Sequence, residues 1–395
     1  MEMDLPRARR DTPGVAHVTH LNNAGASLMP ACVVEAQIAH IRAEARIGGY
    51  EAKAAAQEQF ERTYGAVAEL LNCGPDEVAL TENATVAWQQ AVHALPWQAG
   101  DTILTGEAEY GSNYIDFLHL KRRLGVEVRP VPSDADGQLD VAALDGMIDD
   151  RTRLIAVTHV PTNGGLVNPA EAIGAVARKH GVTYLLDACQ SAGQLDLDVE
   201  RIGCDLLSAT GRKYLRAPRG TGFLYVRRAL LDRLDPVVLD NHAAEWTGPD
   251  SYAVRPDARR FENWEFNVAA AIGLGVAVDY ALSWGLTAIQ ERVAWLAQTL
   301  RRRLARIPGV QVHDLGTRQC GIVTFTVDGL SPAAVQAALG ERRINVSVSE
   351  RASSLLDMDR RGLAALVRAS VHYFNSEEEI ELCVGAVAGL AREAA

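Results

Sequence analysis

The sequence predicts an α/β protein with a mainly parallel central sheet flanked by helices, followed by a smaller α/β domain. Short β-branched runs alternate with stretches of helical spacing along most of the chain, the pattern of a largely parallel sheet. At 395 residues, 48% hydrophobic and 23% charged, the chain can bury a sizeable core and is expected to divide. The expected division is an arm and loop over residues 1–29, a large domain over 30–260 and a small one over 261–395.

The first twenty residues are rich in charge and contain Pro6 and Pro13, so they are expected to form an arm rather than a packed element. Leu21-Asn22-Asn23-Ala24-Gly25-Ala26-Ser27 has the small residues that permit a turn and close approach of a ligand. Residues 33–71 are alanine-rich and helical, broken at Gly48-Gly49. A strand over 77–81 precedes helical spacing over 85–95, which puts Glu82-Asn83-Ala84-Thr85 on the connecting turn. Free backbone N–H groups at such a turn attract an anion, although Asn83 or Thr85 also reads as an ordinary cap.

A strand over 102–105 runs into a turn carrying Tyr110, which taken alone reads as a half-buried packing residue. Strands over 126–131 and 154–159 are separated by a helix over 141–148. The second strand leads into Val160-Pro161-Thr162-Asn163-Gly164-Gly165, and Asn168 then reads as a helix cap before Pro169. Residues 221–226 return as a strand. Beyond residue 261 the chain alternates again: a helix over 289–304, a strand over 321–327, a helix from Ser331-Pro332, strands over 345–349 and 366–372, and a last helix. Asn375 or Ser376 caps that helix, with Glu377-Glu378-Glu379 in its first turn. Arg301-Arg302-Arg303 reads as a solvated helix face.

The chemistry concentrates in Tyr184-Leu185-Leu186-Asp187-Ala188-Cys189-Gln190 and in the later Thr210-Gly211-Arg212-Lys213. Asp187 ends one expected strand and Lys213 follows the next. An amine that forms a Schiff base and a carboxylate that keeps a pyridine nitrogen protonated belong at the carboxyl ends of neighbouring parallel strands, which points to pyridoxal 5'-phosphate. Either residue alone is more often a solvated loop residue. The combination with Gln190, Thr210 and Arg212 carries the reading.

These motifs resemble the class V aminotransferase and cysteine desulfurase family of pyridoxal-phosphate enzymes, which has the type I transferase fold. Thr158-His159-Val160-Pro161-Thr162-Asn163 and Phe261-Glu262-Asn263-Trp264-Glu265 are most similar to its sulfoxide-lyase and isopenicillin-N-epimerase-like branch. The resemblance implies that Lys213 carries the cofactor, Asp187 faces its ring nitrogen and Tyr110 stacks on the ring. It puts Asn83, Ala84 and Thr85 at the phosphate with Arg212 as a further donor, makes Gln190 and Thr210 cofactor-binding, and puts Asn163 near the 3-hydroxyl, where Thr162 is the competing alignment. It also gives Arg368 the substrate carboxylate and puts Asn23 and Ala24 at the substrate mouth. His159 becomes a candidate neighbour of the ring. Residues 262–267 are expected to reach into the partner's site in a homodimer with shared active sites.

Several positions depart from the family's pattern. Arg212 and Tyr110 stand where desulfurases carry histidine. Glu265 replaces a usual phosphate-binding threonine, so either that contact is lost or Glu265 pairs with Arg212. No cysteine lies near Ala352, in the loop that holds a desulfurase's nucleophile, and Cys189 is expected to pack away from the ring. Persulfide-forming desulfuration is therefore not expected. A C–S β-lyase acting on an S-substituted cysteine or its sulfoxide, giving pyruvate and ammonia, is the leading expectation. An epimerase, an aminotransferase or a decarboxylating deaminase stays open, as does a catalytically silent scaffold or regulator.

The net charge of −11 argues against nucleic acid as a partner. Six scattered cysteines without a C-x-x-C pair suggest neither a metal site nor disulfides, and fit a reducing cytoplasm. The expectation is no membrane span and no export signal.

Overall fold

The computed structural model describes residues 3–395. Its central sheet has seven strands: β1 (Val78–Thr81), β2 (Thr102–Gly106), β3 (Glu127–Val131), β4 (Thr152–Thr158), β5 (Thr183–Asp187), β6 (Leu206–Thr210) and β7 (Gly222–Val226). The spatial order is β1-β7-β6-β5-β4-β2-β3, and only β7 runs antiparallel to its neighbours. Strands β5, β6 and β7 are buried at every residue, as strands covered on both faces must be. Their uninterrupted apolar character follows from that cover. The parallel strands therefore all release their loops at one edge, where Thr81, Thr158, Asp187 and Thr210 end β1, β4, β5 and β6.

A second, antiparallel sheet has the order β8-β9-β11-β10, formed by β8 (Val310–Val312), β9 (Ile322–Val327), β10 (Ser347–Glu350) and β11 (Ala365–Ser370). Helix Val268–Trp284 is apolar and buried almost all round through Val278, so it carries little helical period to read. Gly275 lets it approach helix Gln57–Leu71: a Cβ there would come within 2.4 Å of Thr63 Oγ1. Among the described residues no single helix is long and apolar enough to cross a membrane.

Three expectations are corrected here. Residues 3–20 are packed rather than a free arm. Asp4 caps helix Leu5–Arg10, Ala8 is buried, and Arg9 reaches the Phe374 carbonyl at 3.2 Å and Glu379 at 3.1 Å. Arg301 is not solvated, because the last turns of helix Leu286–Leu304 face β9. Its guanidinium meets Asp314 Oδ2 at 2.5 Å and donates to the carbonyls of Cys320 (2.7 Å) and Ile322 (2.5 Å). Asn168 does not cap a helix. It ties two strand ends together, accepting from Leu139 N at 2.9 Å and donating to the Thr158 carbonyl at 2.8 Å.

Candidate active site

Asp187 is buried at the end of β5 with both carboxylate oxygens engaged. Oδ1 accepts from the Cys189 N–H at 2.8 Å and Oδ2 accepts from the Asn113 amide at 2.8 Å. Lys213 lies in the turn after β6, closed by an Arg216 N–H bond to its carbonyl at 3.0 Å. Its Nζ is 6.0 Å from the centre of the Tyr110 ring, which stands at the start of helix Gly111–Leu124. Burial pushes the Lys213 ammonium below its usual pKa, and the nearby Asp187 carboxylate only partly offsets this. Cys189 does not face away: its thiol lies against Asp187, and burial, reinforced by that carboxylate, pushes it well up.

The other end of the site is rich in donors. Asn83 caps helix Ala84–His93, its Oδ1 accepting from Val86 N at 3.1 Å. The turn rests on the start of β7, where a Cβ on Gly222 would come within 2.8 Å of the Asn83 carbonyl carbon and 3.1 Å of Ala84 N. Only glycine allows that approach. Gly222 pairs with Thr210, so the helix start, the Thr210 hydroxyl and Arg212 share one corner, Arg212 donating to Thr210 Oγ1 at 2.9 Å. Thr85 is exposed on the same turn.

Within one chain Glu265 is exposed and does not pair with Arg212, which has no carboxylate partner among the described residues; a pair between subunits is a matter for the dimer. The anchor of that segment is Glu262, which accepts from Leu80 N at 2.7 Å, Tyr64 Oη at 3.0 Å and His242 Nε2 at 2.9 Å. The residues after it turn outward.

Between these ends, two buried polar atoms have no partner in the chain: Asn163 Nδ2 and Gln190 Oε1. Buried polar groups are nearly always paired. Together with an unpaired cation beside free N–H groups, an amine and a fixed carboxylate, they fit a phosphorylated pyridine carrying a hydroxyl. The donor set thus suits pyridoxal 5'-phosphate, with Asn83, Ala84, Thr210 and Arg212 as the phosphate holders.

Arg368, on β11, is half-buried, with no acid beside its guanidinium among the described residues. It donates to Ser347 Oγ at 3.0 Å and to Thr162 Oγ1, and burial lowers its pKa. Thr162 rather than Asn163 therefore touches this arginine, while Asn163 Oδ1 accepts from Ser349 Oγ. Asn23 is corrected. It is fully buried, donating to the carbonyls of Ser370 (2.8 Å) and His20 (3.2 Å) and accepting from Ser27 Oγ (2.6 Å), so its side chain has nothing left for a substrate. Ala24 takes part through its backbone, its N–H donating to Ser370 Oγ at 2.9 Å and its carbonyl accepting from Gln190 Nε2 at 3.2 Å. His159 points instead toward Arg318 and a cavity lined also by Gln138 and Asn168. Burial, then Arg318, lowers its pKa to about 3.

Two site residues escaped the sequence reading, Glu109 and Asn113. Their i, i+4 spacing across a helix start was the available signal.

The family model for class V aminotransferases matches residues 19–383. A probable cysteine desulfurase of Methanothermobacter thermautotrophicus is 30% identical over 380 residues, covering 95% of each chain. The apo structure of the cysteine desulfurase of Thermococcus onnurineus NA1 superposes with a TM-score of 0.91 at 27% identity, covering 100% of this chain and 99% of that one. The cystine C-S lyase C-DES, in complex with its product cysteine persulfide, gives a TM-score of 0.87 at 27% identity over 95% and 99% of the two chains. A mutant of C-DES carries glycine covalently linked to the PLP cofactor.

Proposed function

We propose, from the premise that this chain belongs to the class V aminotransferase family, that it is a pyridoxal-phosphate-dependent C–S β-lyase. Its substrate is an S-substituted cysteine or the corresponding sulfoxide, and its products are pyruvate and ammonia with the released sulfur compound. The observation that carries this choice is the loop over residues 349–355, which contains no cysteine. At the place of a desulfurase's thiol stands Ala352, whose carbonyl packs so closely on Gly111 that a Cβ there would lie 2.3 Å away. The remaining thiols are poor substitutes. Burial raises the pKa of all six, to about 11 for Cys320 and about 12 for Cys73 and Cys383, and the thiolate is the nucleophilic form.

The bound cofactor supplies an electron sink for the pair left at the α-carbon. Every other requirement falls to the chain. Arg368, whose only side-chain partners among the described residues are two hydroxyls, offers its planar fork to the α-carboxylate and so orients the α-carbon. Lys213, with its pKa lowered by burial, is an amine that can take the α-proton. Asp187, fixed at both oxygens, presents a carboxylate to the ring nitrogen. The C–S bond then breaks with its electron pair on sulfur, so no protein thiol is consumed. Water completes the balance, converting the three-carbon fragment to pyruvate and ammonia. The activity named for C-DES supports cleavage at carbon and sulfur, and the desulfurase relatives support a cysteine-type substrate.

The reading includes a two-fold homodimer. Trp246 and Tyr252, cross-strand partners on the hairpin of Ala244–Gly248 and Ser251–Val254, are exposed together with Trp264, an apolar surface suited to a second copy. Analytical ultracentrifugation at working concentration tests it, and an active monomer rejects it. The lyase reading is tested by incubating the holoenzyme with a panel of cysteine conjugates and sulfoxides and identifying products by mass. Pyruvate without alanine supports it. Transaminated, racemised or decarboxylated substrate moves the protein to another reaction of the family.

A further inference from the structure

Glu109 is a buried acid without a cation. Its side chain, 3% exposed, accepts from five donors: the N–H groups of Tyr110 (2.9 Å) and Thr158 (2.9 Å), the Asn113 amide (2.8 Å), and the hydroxyls of Thr105 (3.0 Å) and Thr158. Burying a carboxylate in such a place costs folding free energy that an apolar residue would not. The cost is accepted beside the site's other acid. Asn113, four residues along, sits between the two carboxylates and donates from Nδ2 to Glu109 Oε1 at 2.8 Å and to Asp187 Oδ2 at 2.8 Å.

We propose that Glu109 is a positioning residue for Asp187: it fixes the plane of the Asn113 amide, and that amide fixes Asp187 Oδ2 while the Cys189 N–H fixes Oδ1. Asp187 is thereby held in one rotamer without any bond from a cation that would weaken its hold on a protonated ring nitrogen. When Glu109 is ionised, its charge adds to that hold from behind. Burial raises the Glu109 pKa to about 7, with the Thr158 and Asn113 bonds opposing and Asp187 reinforcing. Asp187, on β5, is the charged group that faces it. Strands β2 and β4 and the helix carrying Asn113 contribute neutral donors.

The inference rests on Asp187 serving the cofactor, and the test separates the two. Holoenzyme is reconstituted with cofactor labelled with 15N at the ring nitrogen, for the wild type, Glu109→Gln and Asn113→Ser. In both variants the ring-nitrogen resonance is expected to move toward that of a neutral pyridine. The kcat is expected to fall about tenfold with KM unchanged, the size of one net hydrogen bond lost. Asn113→Ser leaves the other four donors to Glu109 in place, so it decides the matter if Glu109→Gln does not fold. A ring-nitrogen resonance unchanged from wild type in the folded variants overturns the inference. Absence of a visible cofactor band in the wild type instead counts against the cofactor reading itself.

Discussion

Two arginines, the buried Arg301 and the half-buried Arg368, behave in opposite ways. Arg301 brings its own counter-charge: Asp314 at 2.5 Å, with Asp314 Oδ1 in turn accepting from the Thr324 N–H at 2.8 Å and from its hydroxyl at 2.6 Å. Arg368 finds two hydroxyls and no acid. The first region is chemically complete in the chain alone. The second, with Arg212, Asn163 Nδ2 and Gln190 Oε1, has polar groups left over. Buried charge is tolerated only when paired. An arginine drawn into the fold without an acid therefore marks where a substrate or cofactor supplies the missing charge, which the mere presence of arginine does not.

The largest effect expected within the open region is at Lys213. Lys213→Ala should cost about a thousandfold or more in turnover, with the far-UV spectrum unchanged. Borohydride reduction of wild-type holoenzyme followed by peptide mapping should put the label on Lys213. In the complete region, Arg301→Gln leaves Asp314 buried without its cation and should destabilise by about 3–5 kcal/mol, read from urea unfolding of the holoenzyme. Arg368→Gln breaks no ion pair. Its unfolding midpoint should stay near wild type while KM for the amino acid rises about tenfold. A stability loss matching that of Arg301→Gln would erase the distinction between the two regions.

A pH-dependent effect is set by His159, which burial holds neutral in the fold with a pKa of about 3 against an ordinary 6.5. The unfolded chain binds this proton below pH 6.5 and the folded chain only near pH 3. Stability is therefore lost as pH falls through that window, by up to about 1.4 kcal/mol per unit. His159→Gln should show a smaller drop in urea midpoint between pH 7 and pH 5 than the wild type.

The legible part of the molecule was the part carried by local sequence. Asp187, Lys213 and Arg368 lie at strand ends or on a strand within recognisable motifs, and the alternation of runs gave the parallel sheet. Interactions between distant segments were not legible. Arg301 looked solvated because its partner Asp314 belongs to a loop whose approach depends on the second sheet. Asn23 looked like a mouth residue because Ser370, which consumes its amide, lies 347 positions away. The Val268–Trp284 helix offered little period, being buried almost all round through Val278. Glu109 gave a local signal, but its meaning depends on β4 and β5 closing around it.

The most direct measurement of the central claim is product partition together with the mass of the intact protein after turnover of a cysteine conjugate. The lyase account predicts pyruvate and ammonia in equal amounts, no alanine, and an unchanged protein mass in wild type and in Cys189→Ser, which stays active. Alanine accompanied by a protein heavier by one sulfur atom would contradict it.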